Sequence, residues 1–128
     1  MLKTNSKQAR ENIREYIRSE AEYIRDNYDL NVNTDAEIAR AIQDIFRDET
    51  AGDHRRNMSE AARFEDWAQG LALGGMFLYY YNVSAVDLLG DILQETETER
   101  SKYSEEQAEK LLTRLIYAEI DRAAREEG

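Results

Sequence analysis

The 128-residue sequence contains no cysteine, no proline, six glycines and a single histidine. Without Cys there is no disulfide frame and no thiolate metal site, and one imidazole excludes zinc centres built on several histidines. Without Pro, and with little Gly, helix interiors run largely uninterrupted. No stretch approaches 18 consecutive apolar residues, and the polar opening Met1 to Arg10 lacks the apolar core of a secretory signal. The expectation is a soluble, cytoplasmic protein with no membrane segment.

Positive charge is also scarce. Seventeen Lys and Arg against 27 Asp and Glu leave a net charge of -10, so the molecule repels phosphate backbones and direct nucleic-acid binding is disfavoured. Apolar residues are plentiful enough for one core: they make up 41% of the chain, with eight Tyr, three Phe and one Trp.

The apolar spacing predicts an all-α, single-domain bundle of about five helices over residues 1–128. Asn5 and Gln8 resemble an N-terminal cap, and Ala9, Ile13, Tyr16, Ile17, Ile24 and Tyr28 recur at helical spacing, giving a helix from about Ser6 to Tyr28. Thr34 and Glu37 form a capping box before a second helix ending near Asp48. Glu49 to Asn57 reads as an exposed loop, and Asn57 or Ser59 caps a third helix with Phe64, Trp67, Ala68 and Leu71 as its buried stripe. Gly70, Gly74 and Gly75 stop it, and Met76 to Tyr81 is assigned to a buried loop or helical turn. Ser84 and Asp87 open a fourth helix carrying on toward Thr98, and Ser104 with Gln107 opens the last, whose apolar side includes Leu112, Ile116 and Ile120.

Little in the chain points to a reaction. Asp53 beside His54 is the pairing in which an Asp orients a general base, but it sits in a polar loop with Arg55 and Arg56 and no nucleophile nearby. A small hydrolase using Asp53 and His54 is the remote alternative. Glu95, Glu97 and Glu99 alternate and so diverge on a helix, which argues against a metal site; no cofactor is expected. The tyrosines Tyr79, Tyr80 and Tyr81 cannot all face inward in a regular element, which makes them a candidate aromatic anchor for a partner.

Charge is distributed unevenly. Residues 1–64 carry 11 basic and 13 acidic residues, net -2, whereas residues 65–128 carry six and 14, net -8. Between Val83 and Glu109 eight acids face only Arg100 and Lys102, net -6. Asp87, Asp91, Glu95 and Glu99 are spaced four apart, which on one continuous helix makes a row about 18 Å long with carboxylates about 6 Å apart, similar to a charged backbone. With Glu97, these acids are the expected partner-binding residues, entering a basic nucleic-acid groove on another protein. The competing expectation is that the row is solvated, or paired with Lys7, Arg14, Arg18 and Arg25 of the first helix.

At Phe64 to Gly70, Ser84 to Gly90 and Tyr103 to Ile120 the sequence resembles a family of small acidic proteins of unknown function, carried by phages and mobile elements of clostridial and related bacteria. Ala72 and Leu73 depart from the Pro-Ser of that family's loop. The family supplies no catalytic residues to carry over. Proteins of this size and charge from such elements are often inhibitors of host defence, anti-CRISPR and anti-restriction proteins among them. The resemblance itself implies a habitat more than an activity; by analogy with that class, and with the acidic row, the expectation is a non-enzymatic inhibitor of a host nucleic-acid-handling defence complex, acting in the bacterial cytoplasm. The alternative among binding proteins is a mobile-element regulatory or assembly module that forms a homodimer through apolar faces.

Overall fold

A computed structural model describes residues 1–52, 58–69 and 84–127. Helix α1 (Lys7–Arg18) starts at Ser6 rather than at Asn5: the Ser6 hydroxyl accepts from the Ala9 N–H at 3.1 Å. Its buried face is Ala9, Ile13, Tyr16 and Ile17. The single long helix expected to Tyr28 is interrupted at Ser19 and Glu20, and α2 (Ala21–Tyr28) follows. The Ser19 hydroxyl donates back to the Tyr16 carbonyl at 2.5 Å, and the Glu20 N–H bonds to the Ile17 carbonyl at 3.0 Å, tightening the turn. The apolar stripe stays in phase across this break, which is why spacing alone reads one helix.

Asp29, in the left-handed region with φ 52°, ends α2. In the connector that follows, Val32 is buried and its carbonyl accepts from Arg25 Nε at 2.9 Å. Helix α3 (Asp35–Glu49) begins with the expected Thr34–Glu37 capping box. Helix α4 (Glu60–Gln69) is capped by Ser59, whose hydroxyl accepts from the Ala62 N–H at 3.1 Å, and it buries Phe64, Trp67 and Ala68 as expected. Then come α5 (Ala85–Leu93), the single turn α6 (Glu97–Arg100) and the long α7 (Glu105–Ala124), which opens with the Ser104–Gln107 box. The described residues form an all-α bundle without strands.

Helix α7 is the centre of that bundle, packed by α1, α3, α4 and α5. Ala108, Leu112, Ile116, Ile120 and Ala123 run down its buried side. One flank is aromatic: Phe64 meets Phe46, Trp67 and Tyr117 with ring centroids 5.3, 5.6 and 5.2 Å apart, in tilted or edge-on pairs. The Trp67 indole donates to Glu49 at 2.8 Å, so its polar edge is satisfied at the rim.

The opposite flank is ionic. Glu119, 0% exposed on α7, accepts from Arg10 Nε at 2.8 Å, from Arg14 Nε at 2.7 Å, and from Arg122. Burial works against its charge, but the hydrogen bonds from Arg14, Arg10 and Arg122 outweigh it and hold the carboxyl below the usual range. Arg14 also reaches Asp35 on α3 at 3.3 Å, and Arg18 meets the same carboxylate at 2.7 Å. Three helices are thereby tied by one connected set of charges.

Glu20, 2% exposed at the α1–α2 break, has no such support. The only hydrogen bond to its carboxyl among the described residues comes from the Ser19 hydroxyl at 3.4 Å, and burial pushes that carboxyl from 4.5 to about 8. In the unfolded chain Glu20 ionises near 4.5, so its favourable contribution is complete below that pH and is lost as pH rises through 8. Glu20→Gln removes this loss. The stability of the variant relative to the parent is expected to rise by about 1–3 kcal/mol between pH 5 and pH 8, measured by urea unfolding at both. The comparison cancels the opposite trend from the arginine-bound Asp35 and Glu119.

Candidate partner-binding surface

Asp87 and Asp91 project from α5, and the sequence places Glu95 and Glu99 on further turns of the same helix. Instead the helix ends at Leu93. Gln94 takes a left-handed conformation with φ 53°, its N–H bonds to the Asp91 carbonyl at 3.3 Å, and the Glu95 N–H bonds to the Gly90 carbonyl at 2.8 Å. This is the paired closure of a Schellman end, built on Gln where Gly is usual. The remaining carbonyls are also taken: Ile92 by the Asn12 side chain at 2.9 Å, and Leu93 by the Leu2 N–H at 2.6 Å.

The expected four-carboxylate row is therefore not a ladder. Past the left-handed residue the chain changes direction, and Glu95 becomes 5% exposed, accepting from the Tyr103 hydroxyl at 3.2 Å. Glu99 closes the capping box of α6, accepting from the Thr96 N–H at 3.0 Å. That backbone bond, against a little desolvation, holds its carboxyl below the ordinary range. Glu97 is exposed at the start of α6. Asp87 and Asp91 remain 59% and 65% exposed on α5.

Their counter-ion comes from within the same segment. Arg100 lies across Gly90, donating Nε to the Glu95 carbonyl at 3.0 Å and Nη2 to Asp91 at 2.9 Å, with Asp87 at 3.7 Å. The cations proposed for this duty are not the ones used. Arg14 and Arg18 pair with Glu119, Glu126, Asp35 and Glu11, Arg25 binds the Val32 carbonyl, and Lys7 makes no ion pair with these acids. Position 90 has to be glycine-sized for this arrangement, because a Cβ there would overlap the Arg100 guanidinium.

Much of the local acidity also has a structural cause. Asp87, the pair Glu97 and Glu99, and the pair Glu105 and Glu106 occupy the first turns of α5, α6 and α7, where negative charge complements the exposed N–H groups and the helix dipole. Glu105 further caps the neighbouring helix, accepting from the Ala85 N–H and, at 3.4 Å, from the Val86 N–H. Three helix starts within 27 residues concentrate acids in this part of the chain. What still faces solvent there is Asp87, Asp91, Glu97, Glu105 and Glu106, with Lys102 exposed in the same segment and Lys110 paired to Glu106 at 3.5 Å.

The other expected site residues, Tyr79, Tyr80, Tyr81, Asp53 and His54, lie outside the described residues. Among the described residues no group of three acidic or imidazole side chains is gathered to hold a metal ion, and no helix is long and apolar enough to cross a membrane. Two buried acids, Glu20 and Glu119, escaped the sequence reading. Each sits in register with an apolar helix stripe, which was the available signal.

Gly90→Ala is expected to expel the Arg100 guanidinium while changing stability by no more than about 1 kcal/mol, since the end of a long side chain yields readily and Ala favours the helix. The readout is the Arg100 Nε–H: slow to exchange with water in the parent and fast in the variant. Unchanged slow exchange would contradict the close approach. Compared with family models, with curated proteins and with solved structures, the chain matches none.

Proposed function

We propose that this chain is a non-catalytic binding protein that presents its acidic segment to a basic cleft on another protein, competing there with nucleic acid. In its specific form the partner is a host defence complex that handles nucleic acid, and the chain is its inhibitor in the bacterial cytoplasm. The supporting observation is the imbalance between Val83 and Glu109, net -6. Exposed Asp87, Asp91, Glu97 and Glu106 carry it outward.

Regular phosphate-like spacing plays no part in this reading. The broken helix leaves a patch whose field, rather than its pitch, attracts a cationic surface, and the association is fast and sensitive to salt. The alternative of a homodimer formed through apolar faces finds little surface among the described residues, where Met1 and Leu30 are the exposed large apolar side chains. The hydrolase reading gains no described residue.

The test is affinity capture from bacterial lysate on the immobilised protein, repeated with Asp87→Lys, Glu97→Lys and Glu106→Lys combined. Nucleic-acid-binding proteins are expected to be retained at about 0.05 M salt, to be lost at about 0.5 M, and to be displaced by added RNA or DNA. The triple variant should retain none. A partner that is held equally by the reversed variant, or that is indifferent to competing nucleic acid, overturns the reading.

A further inference from the structure

A groove of about 460 Å³ runs between α1 and α5, within the size range of ligand sites. Its apolar lining is Tyr16, Leu88 and Ile92, and its uncharged polar lining is Asn12, Ser19 and Gln94. The two charged residues that line it are both acids, Glu15 from α1 and Asp91 from α5. Glu15 is exposed and has no ion-pair or hydrogen-bond partner for its carboxylate among the described residues. Asp91 gives one oxygen, Oδ1, to Arg100, which leaves Oδ2 able to accept.

We propose that this groove seats an arginine side chain of a partner protein, with its methylene stem along Tyr16, Leu88 and Ile92 and its guanidinium on the Glu15 and Asp91 carboxylates. The inference rests on the function proposed above and locates a specific anchor within it. Charge complementarity selects a cation, because the lining carries two negative charges and no positive one. The apolar lining selects a long side chain that keeps its charged end near water. The planar fork of donors selects arginine over lysine. A carboxylate shared by two guanidiniums already exists in this molecule, where Glu119 offers one oxygen to Arg10 and the other to Arg14, so Arg100 beside Asp91 does not bar a second. Gln94 carries an amide oxygen suited to a remaining guanidinium donor, and the Asn12 oxygen, which already accepts from the Gln8 side chain at 2.8 Å, has a second lone pair.

The probe is acetyl-Leu-Arg-Leu-amide, titrated into the 15N-labelled full chain, with the citrulline peptide as its uncharged counterpart of the same shape. Saturable shifts are expected at the side-chain amides of Asn12 and Gln94 and along residues 12–19 and 88–94. The citrulline peptide should bind about tenfold more weakly, and Glu15→Gln should weaken the arginine peptide about fivefold. Glu127→Gln, an exposed acid outside the groove, should leave it unchanged. Circular dichroism of both variants confirms that the helices are retained. Absence of saturable binding, equal binding of the two peptides, shifts mapping elsewhere, or an unaffected Glu15→Gln variant would each overturn the proposal. Because no partner and none of the reversed residues Asp87, Glu97 and Glu106 enters this titration, its failure leaves salt-sensitive capture of a partner standing. Loss of that capture alone would instead count against the broader reading.

Discussion

Glu119 is an acid placed on the buried side of the central helix, and the packing of α1 against α7 is arranged around it. A carboxylate removed from water is costly unless its lone pairs are taken up. Here Arg10 and Arg14 approach from α1 and Arg122 from one turn further along α7. Apolar contacts are tolerant of small slides between helices, whereas two guanidiniums on two oxygens of one carboxylate admit a single register. Arg14 extends the constraint to Asp35 on α3 and to Glu126 beyond the end of α7. The aromatic group on the other flank adds buried area. The charge cluster adds the relative placement of the helices.

The same economy governs the acidic segment. An acid in this chain is commonly a structural partner before it is a surface charge: Glu37, Glu99 and Glu105 each accept from a backbone N–H, and Glu95 is buried beside Tyr103. Arg100, lying in the space left by Gly90, offsets Asp87 and Asp91. The outward charge is therefore smaller and less regular than the sequence suggests, and its location follows from where three helices begin. Under the proposed function, a partner meets a field centred on a few carboxylates, next to a groove whose two charged lining residues are both negative.

Capping chemistry and helix phase made most of the fold legible. Thr34 with Glu37 and Ser104 with Gln107 mark their helix starts correctly because the reciprocal hydrogen bonds need those residue types at that spacing. The breaks were hidden for different reasons: at Ser19 the apolar spacing continues as though the helix did, whereas past Gln94, where no apolar residue stands before Tyr103, it is the acids at 87, 91, 95 and 99 that keep a helical spacing. Only a serine bonding backward and a glutamine in a left-handed turn mark the interruptions, and neither residue type demands a break. Missing the second break hid the Thr96–Glu99 box and made a ladder of four acids from two. Of the candidate site, the concentration of negative charge was legible. Which acids remain at the surface depends on Arg100 crossing Gly90, a contact made ten residues away.

The placement of α1 on α7 depends most on Glu119 being an ionised, arginine-bound carboxylate. Equilibrium unfolding of Glu119→Gln in denaturant at pH 7 tests this directly, since the substitution keeps the shape and removes the charge. A loss of about 3 kcal/mol or more is expected, as when one partner of a buried ionic group is removed. A variant within about 0.5 kcal/mol of the parent, the scatter typical of an ordinary surface substitution, would contradict it.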